Sequence, residues 1–277
     1  MAPTTSATIS VQRIWIPDDH PAFLQSLVDA PNNPASLYLS VSSRSLVIYV
    51  APTSTVNIVS LPHLSVALSQ EHNSAIALKT FLESGKITKV FFDARSPAKI
   101  LFEHCDIALV TCFPGRTYIH EVQLMAGALR KSDTAREWLP GFDRCITQDS
   151  DLDFDNLILD RAHGADRADE AASFDMRILH LPILWRKYHD QLVECRPGIG
   201  GSFWVAMIRE ATRERLKILR GNEPPSYDAK RGWDKYSIQT QREIWNDDVF
   251  MDSTTHGEWF SGDFLGGSEH WAQYDVL

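Results

Sequence analysis

The chain has 277 residues, of which 44% are hydrophobic and 23% charged, as in soluble globular proteins with one substantial core. Its formal net charge of −9 argues against a dedicated nucleic-acid binder, and no apolar run reaches the roughly 20 residues of a membrane span. The first twenty residues carry no recognisable secretory or transit signal, and the four cysteines lack zinc-ribbon spacing. We therefore expect reduced thiols and a cytoplasmic or nuclear location.

The charge is unevenly distributed along the chain. Residues 222–277 contain eleven acidic residues and four Lys or Arg, a net charge of −7, so residues 1–221 carry only −2. The body is therefore nearly neutral, and its composition leaves room for a local basic groove. We predict three parts, namely a lead-in at 1–35, a folded domain at 36–221 and an acidic, Trp-rich tail at 222–277.

The first predicted elements are a short edge strand or an extended lead-in at 11–17, a short helix at 20–27 and three strands within 37–61. In the last of these segments, Val, Ile, Leu and Tyr alternate or run together, and Ser, Arg, Pro and Thr interrupt them at turn-like intervals. This pattern is typical of an antiparallel β-meander. The two-residue period of a strand places Ser40 and Ser42 on one face of its first strand.

After the meander, helices and strands alternate, which favours parallel pairing in the second part of the sheet. Helices are predicted at 73–83, 97–104 and 123–131, and strands at 87–92, 107–112 and 118–122. His120, beside Glu121, is expected to be a partly buried residue at the end of a strand.

The C-terminal half is less regular. Residues 151–155 resemble the start of a calcium loop, but Asn156 and Ala162 stand where that loop requires Gly and Glu, which favours an acidic loop instead. Helices are predicted at 176–193, kinked or broken at Pro182, and at 203–220. The basic residues of the second helix are interpreted as facing mainly outward: Arg209, Arg213, Arg215, Lys217 and Arg220.

The tail has two competing interpretations. It holds four of the eight Trp residues without a sustained period. Either it packs back on the body, or it presents aromatic anchors such as Trp259, Phe260 and Trp271 to a partner.

Several strings, taken in order, resemble the fungal branch of the ribonuclease-D-like 3′–5′ exonucleases, part of the ribonuclease-H-like superfamily. They are Leu-Tyr-Leu at 37–39, Lys-Val-Phe-Phe-Asp-Ala-Arg at 89–95, Val-Gln-Leu-Met at 122–125, Leu-Pro-Ile-Leu-Trp at 181–185 and Glu-Ala-Thr-Arg at 210–213. The resemblance implies an α/β fold with a ribonuclease-H-like mixed sheet, an antiparallel meander followed by parallel strands, flanked by helices. It also implies that residues 36–221 form the exonuclease-like domain.

The resemblance further implies hydrolysis of the 3′-terminal phosphodiester by two divalent cations, which about four carboxylates must hold. In this chain the corresponding positions carry no carboxylate. They fall on Ser40, Ser42, Pro97 (or Lys99 if the register shifts by two), Ser173, where the family has a water-orienting aromatic, and Arg177. We therefore expect no catalytic residue and no cofactor. Mg²⁺ or Mn²⁺ would bind only if other carboxylates, such as Asp93 or Asp175, had rebuilt the site.

The sequence thus predicts a catalytically inactive exonuclease-like domain that acts as a binding module or scaffold. Its expected partner is another protein or single-stranded RNA, not a membrane, and the oligomeric state is left open. The alternatives are an active metal-dependent 3′–5′ exonuclease with displaced ligands, and reuse of the old cleft for a small molecule. The candidate binding residues are Arg95, Lys99, Arg177, Arg209 and Arg213.

Overall fold

The computed structural model describes residues 7–16, 21–32, 34–109, 118–154, 157–161, 174–194, 200–218 and 230–256. Within these residues, seven strands form one sheet in the order β6-β5-β2-β3-β4-β1-β7. The strands are β1 (Ala7–Ile14), β2 (Leu37–Val41), β3 (Ser45–Val50), β4 (Thr55–Ser60), β5 (Lys89–Phe91), β6 (Ile119–Glu121) and β7 (Leu157–Arg161).

The sheet is mixed because β3 runs against its two neighbours, whereas the other pairings are parallel. The remaining six strands of the described sheet therefore share one direction and end at the same side, here called the carboxyl edge. The predicted fold class, an antiparallel meander extended by parallel strands, is confirmed.

Helices cover both faces of the sheet. The α-helices are α1 (Pro21–Val28), α2 (Leu61–Ser69), α3 (Asn73–Glu83), α4 (Arg95–Cys105), α5 (Val122–Ala128), α6 (Asp133–Arg136), α7 (Phe142–Asp149), α8 (Leu181–Glu194), α9 (Gly200–Ile218) and α10 (Lys235–His256). Two 3₁₀ segments, Ala51–Thr53 and Met176–His180, complete the set for the described residues. Among these helices, none combines the length and the apolar character required to cross a bilayer.

The sheet separates two hydrophobic cores, and successive side chains of β2 point alternately into one and the other. Leu37 and Leu39 belong to the core that α1 to α4 cover, whereas Tyr38 belongs to the core beneath α5, α7, α8, α9 and α10. Since successive side chains of a strand point to opposite faces, Ser40 and Ser42 lie on the same face as Tyr38.

The lead-in and the region of the predicted acidic loop differ from prediction. β1 is an internal strand between β4 and β7, not an edge strand, and it begins at Ala7. β7 lies within the region read as an acidic loop, because five residues with two apolar positions facing inward give too short a pattern to recognise. Helices α2, α6, α7 and α10 were also not predicted. Of the strand predicted at 107–112, residues 107–109 form no strand, and the rest lies outside the described residues.

The predicted break near Pro182 is confirmed. The segment Met176–His180 is a 3₁₀ helix, and α8 begins at Leu181, so Pro182 is its second residue. A proline there removes no helical hydrogen bond, because the first backbone N–H groups of a helix have no acceptor within it.

The described part of the tail packs on the body. Trp233, Ile238 and Trp245 are buried in the same core as α8 and α9, and the rings of Trp233 and Trp204 meet with centroids 5.6 Å apart. A Cβ at Gly232 would overlap the carbonyl oxygen of Arg136, so this close approach requires glycine. The first interpretation of the tail holds for this part, whereas Trp259, Phe260 and Trp271 lie outside the described residues.

Candidate functional site

The topology itself points to one place on the carboxyl edge. From β2 the chain continues to β3 on one side, while β5 pairs with β2 on the other side. In open α/β sheets, ligands bind outside the carboxyl ends of the strands where the strand order reverses in this way. We call this place the switch-point site. It consists of the residues at and directly after the carboxyl ends of β2, β5 and β6, together with the 3₁₀ segment Met176–His180, which lies against β2.

Ser42 is committed to the turn between β2 and β3. Its Oγ accepts the backbone N–H of Ser45 at 3.1 Å and lies 3.1 Å from the Oγ of Ser45. The Ser42 N–H donates to the carbonyl of Ser45 at 2.9 Å. Ser40 stands opposite Val47 in the β2–β3 register. Both positions predicted to replace an Asp-x-Glu pair therefore hold neutral hydroxyls, one of which stabilises a hairpin.

Asp93, which follows β5, is held by the predicted binding residue Arg95. The guanidinium of Arg95 donates from Nε to Oδ1 at 2.9 Å and from Nη2 to Oδ2 at 2.5 Å, and its backbone N–H donates to Oδ1 at 3.0 Å. Burial raises the pKa of Asp93, but the hydrogen bonds and charge of Arg95 outweigh it and hold that pKa below its usual range. Arg95 is thus a partner of Asp93 before any ligand arrives.

Glu121, at the end of β6, is the carboxylate that sequence reasoning missed. It is fully buried, and its Oε2 accepts the backbone N–H of Ala94 at 3.1 Å and Nη1 of Arg215 at 3.0 Å. Burial raises the pKa of Glu121, opposed by the charge of Arg215 and reinforced by that of Asp93. Among the described residues, Oε1 of Glu121 has no hydrogen-bond partner.

The interpretation of α9 as a helix with outward-facing cations is therefore wrong in part. Arg209 is only 9% exposed, and the side chain of Arg215 is 10% exposed against a fully buried Glu121. The partner of Arg215 is 94 residues away in the chain, so local charge pattern could not reveal the pair. The available signal was Glu121 itself, an acidic residue within a predicted strand, but nothing next to it identifies its partner.

Arg177, which stands where the resemblance implies the last metal ligand, is neutralised by two carboxylates. It donates to Asp175 from Nε at 2.9 Å and from Nη2 at 2.6 Å, and to Asp143 from Nη1 at 3.0 Å. Its guanidinium carbon lies 5.5 Å from the ring centroid of Phe142, and that ring stacks on Phe92 at 4.2 Å. These contacts fix α7 against the 3₁₀ segment and the end of β5.

The structure also gives the positions and contacts of the remaining predicted residues. Ser173 is the exception, because it lies outside the described residues. Pro97 is the third residue of α4 and is buried. Lys99 is exposed and pairs with Glu103 one turn later at 3.7 Å, and Arg213 forms an ion pair with Glu210. The structure therefore brings Ser40, Ser42 and Arg177 to one edge but does not present the predicted cations as free charges.

His120 belongs to the core, as expected. It is 9% exposed, and its Nδ1 accepts the indole N–H of Trp185 at 3.0 Å. This bond fixes the ring between β6 and α8. Across the part of the chain that the structure describes, no three side chains of His, Cys, Asp or Glu converge in a way that suits a metal ion.

Comparison with known proteins identifies the fold. Neither a protein-family model nor a curated protein matches this sequence. The structure is similar to Trypanosoma brucei RNase D in its complex with GMP, with a TM-score of 0.53 and 11% identity over 84% of this chain and 72% of that one. It is similar to the complex of the same enzyme with RNA U12 at the same TM-score and identity, over 84% of this chain and 79% of that one. The chain thus has the ribonuclease-H-like α/β fold of an RNase D.

Proposed function

We propose that this chain is an exonuclease-like domain that binds its partner without cleaving it. The observation that carries the proposal is the pairing of charge at the switch-point site. The two carboxylates at the ends of β5 and β6, Asp93 just after β5 and Glu121 as the last residue of β6, are each held by an arginine. The strings in the sequence resemble the fungal branch of the ribonuclease-D-like proteins, and our proposal includes the loss of the metal-ligand positions that this resemblance implies.

The residues at the switch point do not fit the two divalent cations that such a fold uses. A pair of cations about 4 Å apart needs several carboxylates free to coordinate it, since hard cations prefer anionic oxygen. Here a cation would have to displace Arg95 from Asp93 and Arg215 from Glu121, and both guanidinium groups would repel it. Arg177, which stands where the resemblance implies a ligand, occupies Asp175 and Asp143 in the same way. We derive no hydrolytic step from this arrangement.

The proposed role is therefore that of a binding module or scaffold, with single-stranded RNA or another protein as the partner. Most of the cations predicted to bind phosphate are already compensated by carboxylates, namely Arg95, Lys99, Arg177 and Arg213. An ion-paired guanidinium attracts a phosphate less than a free one, so any contact with nucleic acid must draw on other residues.

One observation favours the alternative, an active exonuclease with displaced ligands. Asp93 and Glu121 are close enough for the charge of Asp93 to raise the pKa of Glu121. Two neighbouring carboxylates are a start towards a metal site, and a rearrangement of Arg95 and Arg215 would uncover them.

A cleavage assay distinguishes the inactive binding domain from the active exonuclease. The full chain is incubated with a 5′-labelled oligouridylate and Mg²⁺ or Mn²⁺, with an active exonuclease as positive control. We expect no ladder of 3′-shortened products. A ladder that disappears in EDTA and in the double variant Asp93→Asn/Glu121→Gln would overturn the proposal, whereas a ladder that the variant retains would identify a contaminant. Calorimetric titration with Mn²⁺ should likewise show no binding.

A further inference from the structure

A second part of the carboxyl edge lies where β1 and β4 end and β3 begins. It differs from the switch-point site in the exposure of its aromatic and charged side chains. Trp15, directly after β1, has 47% of its surface exposed. Arg13 and Arg44 are also exposed, and neither forms an ion pair with any described residue. This region therefore offers an aromatic ring together with uncompensated positive charge.

The strand register connects Trp15 to Ser42 across the sheet. Ile14 pairs with Val59, so Trp15 stands beside Ser60, and Ser60 pairs with Ser45 on β3. Ser45 in turn bonds to Ser42. We call these four residues the Trp15 row: Trp15, Ser60, Ser45 and Ser42. It crosses three strand spacings, about 14 Å.

A parallel row leads from Arg13 to Ser40. Arg13 pairs with Ile58, Ile58 with Val47, and Val47 with Ser40. We call these four residues the Arg13 row: Arg13, Ile58, Val47 and Ser40. Alternation along the strands places both rows on the face that carries Tyr38. The Arg13 row passes through the core, since Ile58 and Val47 are buried, so only Arg13 itself is exposed to a ligand. The Trp15 row lies at the rim, where Trp15 and Ser42 are exposed and Ser60 and Ser45 are half-buried.

Local contacts hold Trp15 in place. Its ring lies 4.0 Å from the ring of His63, centroid to centroid, and Nδ1 of His63 is hydrogen-bonded to Oγ of Ser60 at 2.7 Å. The backbone N–H of Leu61 donates to the carbonyl of Arg44 at 3.0 Å, which ties Arg44 to the same strand end. A ring that is held yet half exposed loses little conformational freedom when a flat group stacks on it.

We propose that the Trp15 row, flanked by Arg13 and Arg44, forms a path for single-stranded nucleic acid. A base stacks on Trp15, Arg13 and Arg44 contact phosphates, and the strand runs towards the hydroxyls of Ser40 and Ser42. Stacking on an aromatic side chain flanked by cations is the common way to bind single strands without reading their sequence. The inference rests on the proposed function and specifies its ligand.

The stacking part is tested with Trp15→Ala and a matched control, Trp138→Ala, which removes an indole of similar exposure (52%) elsewhere. Fluorescence anisotropy is measured with a fluorescein-labelled oligouridylate and the corresponding oligothymidylate in EDTA. Loss of one stacked base should weaken binding about tenfold. Trp15→Phe should retain part of the affinity, because an aromatic face remains, and the control should bind as the wild type does. Circular dichroism confirms that each variant is folded.

The electrostatic part is tested with the double variant Arg13→Glu/Arg44→Glu. Its control is Lys86→Glu, which reverses an exposed charge before β5, at the opposite edge of the sheet. In single strands each phosphate contact contributes about 0.7 to the slope of log affinity against log salt concentration. The double variant should bind more weakly and with a shallower slope, and the control should keep the wild-type slope.

The outcomes separate this inference from the proposed function. If the wild-type chain binds neither oligonucleotide, or if Trp15→Ala and the double Arg variant bind as the wild type does, the path is wrong. If the chain neither binds nor cleaves the oligonucleotides, the proposed function still stands with a protein as the partner. If instead the wild type cleaves the oligouridylate once Mg²⁺ is added and binding still depends on Trp15, the path stands and the proposed inactivity fails.

Discussion

The two halves of the carboxyl edge differ in how their charged side chains are accommodated. Where β2, β5 and β6 end, Glu121 and Arg215 are buried and paired with each other. Where β1, β4 and β3 meet the same edge, Arg13 and Arg44 face solvent without an ionic partner among the described residues. A buried charge must be compensated, whereas an exposed one is stabilised by water. Removing one partner in the first half should therefore destabilise the fold, whereas the cations of the second half are already exposed to solvent.

The largest expected effect comes from breaking the buried pair. Arg215→Ala leaves the fully buried Glu121 without its compensating charge, so the free energy of unfolding should fall by about 3–5 kcal/mol. Urea titration followed by circular dichroism measures this change.

The matched variant Glu121→Gln/Arg215→Met removes both charges while keeping similar volumes. It should recover most of the stability that Arg215→Ala loses. If the double variant is as unstable as the single one, packing rather than charge accounts for the loss.

A smaller effect is expected at the exposed end of the same half, where Asp175 pairs with Arg177. Burial raises the pKa of Asp175, but its hydrogen bonds from Arg177 are stronger and hold the folded-state pKa below the ordinary value of 3.8. The pair therefore stabilises the fold above about pH 4, and this contribution is lost as the pH falls through the lower folded-state pKa.

Asp175→Asn should accordingly lower the free energy of unfolding at neutral pH by less than about 1 kcal/mol, since the pair is partly exposed. The difference from the wild type should vanish once the pH has fallen below the folded-state pKa of Asp175. Urea midpoints across this pH range provide the measurement. A difference that stays constant down to low pH would mean that the ionised carboxylate is not what stabilises the fold.

The smallest effect is expected in the other half. Arg13→Ala and Arg44→Ala should change the free energy of unfolding by no more than about 0.5 kcal/mol, as exposed substitutions without specific contacts usually do. The same urea titration applies. A loss comparable to that of Arg215→Ala would show that the two halves do not differ in the way described.

Local pattern predicted the elements whose signal lies within a few neighbouring residues. Val47 and Ile48, with the residues around them, alternate or run together as a meander strand requires, and β3 forms where expected. Pro182 limits where α8 can begin whatever its surroundings. Ser40 and Ser42 were placed on one face by strand period alone, and the face is the one that carries the candidate site.

Features that depend on distant parts of the chain were missed. β1 becomes an internal strand only because Leu157–Arg161 pairs with its outer side, and those five residues follow an acidic stretch that predicts a loop. Arg215 is drawn inward by Glu121, far away in sequence. Neither contact leaves a trace in the residues next to it, so period and composition could not predict them.

The burial of Trp233 and Trp245 against α9 has a consequence for synthesis of the protein. Phe203, whose ring meets that of Trp245 at 6.1 Å, is made 42 residues earlier. At typical elongation rates the ribosome needs about two to eight seconds for that stretch. During this interval the patch of α9 around Phe203 and Trp204, which the two tail indoles later cover, has no partner, and a fragment that stops at residue 221 would keep that patch exposed permanently. Such fragments should therefore self-associate and recruit chaperones, whereas the longer chain covers this surface itself.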